Sequence, residues 1–253
     1  MILSFVLIIA AGVLISQGAT YVTTIYLHRA LAHHALKVHP AVDLSFRTFL
    51  WLATGMSRQQ WVAVHRKHHA FTDKEGDPHS PLLLGFWKVQ LFNFYYYVRE
   101  ARDPEVSRKF APDLEPDIWD RTLFSWGWTG LTVGTGIVML TLGWWQGLLT
   151  VTLHGLLYVG ILSPLINGLG HWWGKQNFMN TAYNSRVLAW FTGGESLHNN
   201  HHAYPRSPKF SVGRFEFDPS WPLIKLMAAL RMVSIVGAVA QRPVSDMPMA
   251  GQS

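Results

Sequence analysis

The sequence predicts an all-α integral membrane protein. About three transmembrane helices carry interfacial amphipathic helices and a cytoplasmic helical cap dense in histidine. Three observations predict it. Met1–His28 and Thr122–His171 contain no Lys, Arg, Asp or Glu. All 21 basic residues lie in 29–121 or 175–242, between or after the apolar runs. The histidines, 13 in all, fall mostly in three clusters within or bordering those same charged segments. Charged residues make up only 14% of the chain, against roughly a quarter in a soluble domain.

The first span is placed at about 2–27, where Ile2–Leu27 runs 26 residues without a charge. That exceeds the ~20 residues a helix needs to cross the hydrocarbon core. A cleaved signal peptide is disfavoured, because no basic region precedes the apolar run and His28-Arg29 follows it at once. Spans two and three are placed at 122–145 and 146–170, joined by a tight turn at Trp144-Trp145-Gln146-Gly147. Trp at that turn fits an interfacial belt. With cationic loops on the inner side, the N-terminus and this turn face outward, and 28–121 and 171–241 form one cytoplasmic cap. In a bacterium that membrane is the inner one. Ala41–Met56, with Asp43 and Arg47, and Pro222–Ala240, with Lys225 and Arg231, read as amphipathic helices at the membrane surface. Residues 242–253 read as a frayed tail, and 1–253 as a single domain.

The net charge of +6 does not point to nucleic acid, because the charges are partitioned by the spans rather than gathered on one face. The absence of cysteine excludes disulfides, thiolate zinc sites and iron–sulfur ligation. A bound metal must therefore take imidazole or oxygen ligands.

Those imidazoles are present in His28-Arg-Ala-Leu-Ala-His33, His65-Arg-Lys-His68-His69 and His198-Asn-Asn-His201-His202. In the two HxxHH clusters the histidines sit at i, i+3 and i+4, one face of a helix. His171 falls at the inner end of span three, and Asn167, one turn earlier, is placed to hold a metal-bound water. Four segments thus bring nine histidines to one side of the bilayer. One transition metal takes about four to six ligands, so the cluster implies a dimetal site. His34, His39, His79 and His154 are set apart. His34 points to another face, His39 precedes a proline, and His79 sits in the Asp77–Pro81 turn. His154 lies inside span three, about 17 residues or ~25 Å from His171.

Asp73, Asp77 and Glu195 each lie near a cluster and are candidates to accept hydrogen bonds from ligand N–H groups. Trp51, Trp61, Trp172 and Trp173 are candidate walls of an apolar tunnel, and Arg58, Arg66, Lys67, Arg99 and Arg102 candidate contacts for a phosphate head group or an acidic electron donor.

In the order HxxxxH, HxxHH, HxxHH, with a hairpin of spans between the second and third boxes, the chain resembles the membrane fatty-acid desaturase family. The Asp77-Pro78-His79-Ser80-Pro81 turn, Asn167-Gly168-Leu169-Gly170-His171, the run Gly194–Pro205 and Phe215-Glu216-Phe217-Asp218-Pro219 are similar to bacterial Δ9 acyl desaturases. The likeness covers about residues 10–235. It implies two iron ions held by His28, His33, His65, His68, His69, His171, His198, His201 and His202, with Asn167 acting through water. It further implies O2-dependent desaturation of a long-chain fatty acyl group carried by phospholipid, CoA or acyl-carrier protein, with a cis double bond near C9. Electrons would come from a separate carrier such as a ferredoxin or a cytochrome b5-like protein. Relatives of the animal acyl-CoA type carry Arg-Asp before the second box, where this chain has Ala63-Val64, which tilts the comparison toward lipid-bound chains. Many relatives have four spans, and Ile2–Leu27 corresponds to the second of them.

The chemistry agrees with the ligands. Removing two hydrogens from unactivated methylenes needs O2, two electrons and two protons, and a redox-active metal where zinc is inert. Imidazole also suits zinc, copper and nickel, so residue type does not name the metal. A di-iron hydroxylase or alkane monooxygenase would share the boxes. A non-enzymatic metal carrier would need ionisable residues within the spans, where His154 stands alone.

Overall fold

A computed structural model describes residues 2–241. The tail predicted at 242–253 lies outside the described residues. The first helix, α1 (Ile2–Val22), passes without a break into a π-helical stretch, Thr23–Ala32. Next come α2 (Pro40–Thr54), α3 (Arg58–Phe71), the single turn α4 (Pro81–Leu84), α5 (Phe86–Ala101), α6 (Pro104–Phe110) and the single turn α7 (Ile118–Arg121). A hairpin follows, α8 (Gly127–Leu142) and α9 (Trp144–Gly155). From α9 the chain runs on through a π-helical turn, Leu156–Leu162, and α10 (Ser163–Asn167) to a 3-10 turn at Leu169–His171. Two short helices complete the cap, α11 (His198–Ala203) and α12 (Ser220–Ala229).

Among the described residues two helical runs are long and apolar enough to cross a membrane, Ile2–Ala32 and Trp144–His171. The predicted span 122–145 is shorter than expected: only Gly127–Leu142 is one apolar helix, 16 residues long. It spans about 24 Å at 1.5 Å per residue. Gly143, at φ 97°, turns the chain there, so the hairpin bend lies one residue before the predicted 144–147 turn and Trp144 already begins α9. Residues 122–126 stay outside the helix, where the Trp126 carbonyl accepts from the Trp51 indole.

The two amphipathic stretches differ from one another. Ala41–Met56 is helical as α2, capped by His39, whose ring accepts from the Ala41 N–H, and closed by Gly55 in the left-handed region at φ 65°. Arg47 and Asp43 lie on its polar side, while Phe49 and Leu52 join α8 and α9 in lining an apolar cavity of about 160 Å³. Pro222–Ala240 is helical only through Ala229. Val233–Ile235 is a strand, antiparallel to Leu36–Val38, so the fold is not purely α. The β-branched Val233 and Ile235 suit a strand, and the partner segment just after the first histidine box leaves its backbone free to pair.

The crossing of α8 over α2 is set by missing side chains. A Cβ on Gly130 or Gly134 would fall 2.3 Å from the Trp51 or Leu52 carbonyl oxygen, well inside van der Waals contact. Backbones pack this closely in membranes through small residues. Gly134→Leu is therefore expected to lower stability by about 2–3 kcal/mol or more through overpacking, read as a lower melting temperature in detergent; an unchanged melt would mean that the two helices separate without cost.

Candidate dimetal centre

The first box depends on the π-helical stretch. In an α-helix, residues five apart point roughly 140° from one another. From Thr23 to Ala32 the bonds widen to i→i+5, and the His33 N–H reaches the His28 carbonyl at 3.1 Å. His33 thereby comes beneath His28, with ring centroids 4.9 Å apart. The second box needs no such device, because α3 places His65, His68 and His69 on adjoining faces. The third box lies on α11, only six residues long, and is held by its own asparagines. The Asn199 side-chain oxygen accepts from the Asn177 and Phe178 N–H groups, and its amide donates to the Phe178 and Ala182 carbonyls. Asn200 donates to Glu216 and to the Phe210 carbonyl.

The nine histidines fall into two pockets. In one, ring nitrogens of His28, His33, His65, His69 and His201 lie within 4.8 Å of one another; in the other, those of His68, His171, His198 and His202 do. The Nε2 atoms face one another, at 3.0 Å for His28–His201, 2.8 Å for His33–His65, 2.9 Å for His69–His201 and 3.0 Å for His171–His198. Four of the outer nitrogens are taken. His28 Nδ1 donates to Glu195 at 2.6 Å, His68 Nδ1 to Asp77 at 3.0 Å and His171 Nδ1 to Asp73 at 2.8 Å. His198 Nδ1 donates to the Glu195 carbonyl at 3.2 Å.

This arrangement tests whether a metal fits. With Nδ1 protonated on His171 and on His198, both Nε2 atoms carry bare lone pairs. Two lone pairs 3.0 Å apart repel unless a cation lies between them. Burial, reinforced by neighbouring imidazoles, pushes His33, His65, His69, His198, His201 and His202 below the ordinary imidazole range. Protons are therefore poor candidates for that cation, and neutral imidazoles are ready ligands. Burial alone would raise Asp77, but the hydrogen bond from His68 holds it below the usual carboxylate range; His171 does the same for Asp73.

Of the histidines set apart, His154 bonds to Ser16 and to the Ala53 carbonyl, tying three helices together within the membrane. His34 takes a left-handed backbone at φ 54° and meets Arg66. His79 lies closer to the centre than the sequence suggested: it is buried and stacks on His68 at 4.6 Å. Asn167 donates to Asn93, itself bonded to Ser163. Asn93 carries no motif and was not foreseen.

Beside the imidazoles lies a mainly apolar cavity of about 90 Å³, bounded by Thr20, Thr24, Trp61, Tyr158, Leu162 and Asn167. A second, of about 100 Å³, shares Trp61, Tyr158, Ser163 and Asn167 and extends past Met56, Phe94 and Tyr97. Trp61 thus lines the passage and stacks on His65 at 5.0 Å. Trp51 and Trp172 do not line it. Trp51 packs under α8 and borders a separate polar cavity, while Trp172 and Trp173 are exposed, with Trp172 against Phe86. The cationic residues are mostly spoken for: Arg58 by Asp117 and Asp120, Arg66 by Asp113, Lys67 and Arg99 by Glu100. Arg102 is exposed.

Compared with known proteins, residues 3–215 match the family described as Fatty acid desaturase. The chain belongs to the fatty acid desaturase family. It is thus an oxidoreductase of lipid metabolism, and its histidine pockets and apolar helices fit metal binding and a membrane setting. The Delta-9 desaturase-like 1 protein of Arabidopsis thaliana is 33% identical over 236 residues, covering 89% of this chain and 75% of that protein. Delta-9 acyl-lipid desaturase 1 of the same plant is 30% identical, covering 84% and 70%. The Acyl-CoA C20 Delta5-desaturase of Anemone leveillei is 29% identical, covering 84% and 68%.

The desaturase carries one further buried group that no motif announced. Arg29, fully enclosed next to His28, stacks over Phe210 at 3.7 Å and donates to Asp218 at 2.9 Å. It also donates to Thr24 and lies 3.7 Å from the Glu195 carboxylate. Asp218 belongs to the Phe215–Pro219 run, and an arginine beside the first histidine was the available signal.

Proposed function

We propose that this desaturase introduces a cis double bond near C9 of a long-chain fatty acyl group, using O2 at two irons held by the nine histidines. The single observation that carries this reading is the opening of two imidazole pockets onto an apolar passage walled by Trp61, Tyr158 and Leu162. Iron, when bound, supplies a one-electron couple able to activate O2.

The protein's own residues do the rest. His28, His33, His65, His69 and His201 hold one ion, and His68, His171, His198 and His202 the other. Asn167, which borders the cavity, is placed to meet a water on the second. Asp73, Asp77 and Glu195 fix the imidazole tautomers, so that every Nε2 they govern faces inward as an acceptor. Thr20, Thr24 and Leu162 keep bulk water from the reacting methylenes, and Trp61 confines the chain beside His65. The chain's head group stays outside, so the distance from head to metal sets the bond position.

The distribution of basic residues supports a cytoplasmic cap. Phospholipid-bound, CoA-bound and carrier-protein-bound chains all suit the passage, and the relatives are named as an acyl-lipid and an acyl-CoA desaturase. Electrons come from a separate ferredoxin or cytochrome b5-like carrier. A di-iron hydroxylase or alkane monooxygenase would share these pockets and differ after hydrogen abstraction. Expression in a host lacking the activity, followed by mass spectrometry of membrane lipids with double bonds mapped, separates them. New cis-monounsaturated chains are expected; hydroxylated or ω-oxidised chains without new double bonds would overturn the reading.

A further inference from the structure

We infer that the two metal positions are unequal, and that the four-histidine pocket of His68, His171, His198 and His202 binds a dication more tightly than the five-histidine pocket. The inference rests on the reading of the nine imidazoles as a two-metal centre.

Ligand number alone would favour the other order. The charges behind the ligands reverse it. Two imidazoles of the four-histidine pocket are backed by carboxylates, His68 by Asp77 and His171 by Asp73. Both acids are held in the charged form: Asp77 also accepts the backbone N–H groups of Asp73 and His79, and Asp73 accepts the hydroxyls of Ser80 and Thr181. Among the described residues neither acid forms an ion pair with Lys or Arg, so neither negative charge is shared with a fixed cation.

Among the described residues the five-histidine pocket has one carboxylate behind it, Glu195 on His28. That charge is shared with a cation: the Arg29 guanidinium stands 3.7 Å away. A second imidazole there, His201, has its Nδ1 buried without a hydrogen-bond partner, so nothing polar orients the ring or raises its basicity. Carboxylate partners of metal-bound imidazoles are typically worth about 10–100-fold in metal affinity. Two carboxylate partners free of any Lys or Arg, against one shared with a guanidinium, outweigh a fifth neutral ligand. The same asymmetry favours the more oxidised state of an ion in the four-histidine pocket.

Chelator-stripped protein in nanodiscs, titrated with Co2+ under argon and followed by its visible absorption and by competition with a chelating dye, tests this without turnover. Wild type is expected to fill in two steps separated at least ~10-fold in affinity. His171→Ala and Asp73→Asn should weaken or abolish the tight step, leaving the weak one, whereas His33→Ala and Glu195→Gln should act on the weak step. If a carboxylate variant does not fold, as judged by its elution and circular dichroism, the wild-type titration and the two alanine variants decide alone. Two steps of equal affinity, or a tight step that survives His171→Ala and vanishes in His33→Ala, would overturn the inference. Fewer than two Co2+ bound in total would instead strike at the two-metal reading itself, and lipid products report on desaturation independently of either.

Discussion

Replacing His198 by Ala is expected to abolish product formation, a loss of at least ~100-fold, and to lower the iron content of purified protein to one ion or fewer per chain. His198 is placed centrally: its Nε2 stands 3.0 Å from that of His171 and 3.2 Å from that of His202, and its ring is buried. Removing it deletes a ligand and releases the two neighbours it faces. His154→Ala is the matched control. It also removes a buried imidazole, but one whose partners are Ser16 and the Ala53 carbonyl, so iron should stay bound while the helix packing weakens. Iron measured by plasma emission spectrometry, together with lipid products, distinguishes the two variants. Full iron and activity in His198→Ala would remove the ligand assignment.

The metal-free protein is expected to lose stability as pH falls from 7.5 to 5.5, read as a melting temperature lower by roughly 10 °C or more. The folded protein keeps His33, His65, His69, His198, His201 and His202 below the ordinary imidazole range through burial, then through neighbouring imidazoles. Burial, aided by the neighbouring His68, pushes His79 down to about 3. In the unfolded chain these groups titrate near ~6.5. Between that value and their folded values the unfolded state binds more protons, so stability falls with pH. Each group contributes up to about 1.4 kcal/mol per pH unit. Asp73 and Asp77 are depressed carboxylates, whose stabilisation is lost only below the ordinary carboxylate range, so they do not oppose the trend at pH 5.5. Metal-loaded protein should resist this drop, because its imidazoles cannot take a proton without releasing the ion. A chelator-treated sample whose melting temperature is flat or rises on acidification would show that the fold does not hold these imidazoles below their ordinary range.

Much of this was legible in the residues, and the reasons differ by element. The spans at 2–27 and 146–170 could be read because hydrocarbon excludes charge, which leaves a gap in composition. The gathering of His65, His68 and His69 followed from helical spacing. Asp73, Asp77 and Glu195 were within a few residues of a box, close enough in sequence to nominate. The strand Val233–Ile235 was missed because three residues carry no period, and its partner lies almost 200 positions earlier. Arg29–Asp218 was missed for the same reason of distance. Trp51 was misplaced because an apolar ring near a box gives no sign of which cavity it borders, whereas the packing of Gly130 against its backbone decides it. The end of α8 depended on the backbone angle of Gly143, which residue type permits without requiring.

The widened helix at Thr23–Ala32 has a consequence for how this protein tolerates change in chain length. A π-helical turn is, in effect, an α-helix that has absorbed one additional residue. Residues added at the outer tip of α1, ahead of the Phe5–Trp145 contact, alter only how much helix meets lipid. Deleting one residue between His28 and His33, for instance Leu31, would let the helix relax to its common pitch, close the spacing between the two histidines to four and drag the Leu36–Val38 ribbon out of step with Val233–Ile235. The inner end of this helix therefore acts as a measured spacer, intolerant of insertions and deletions where its outer end is indifferent to them.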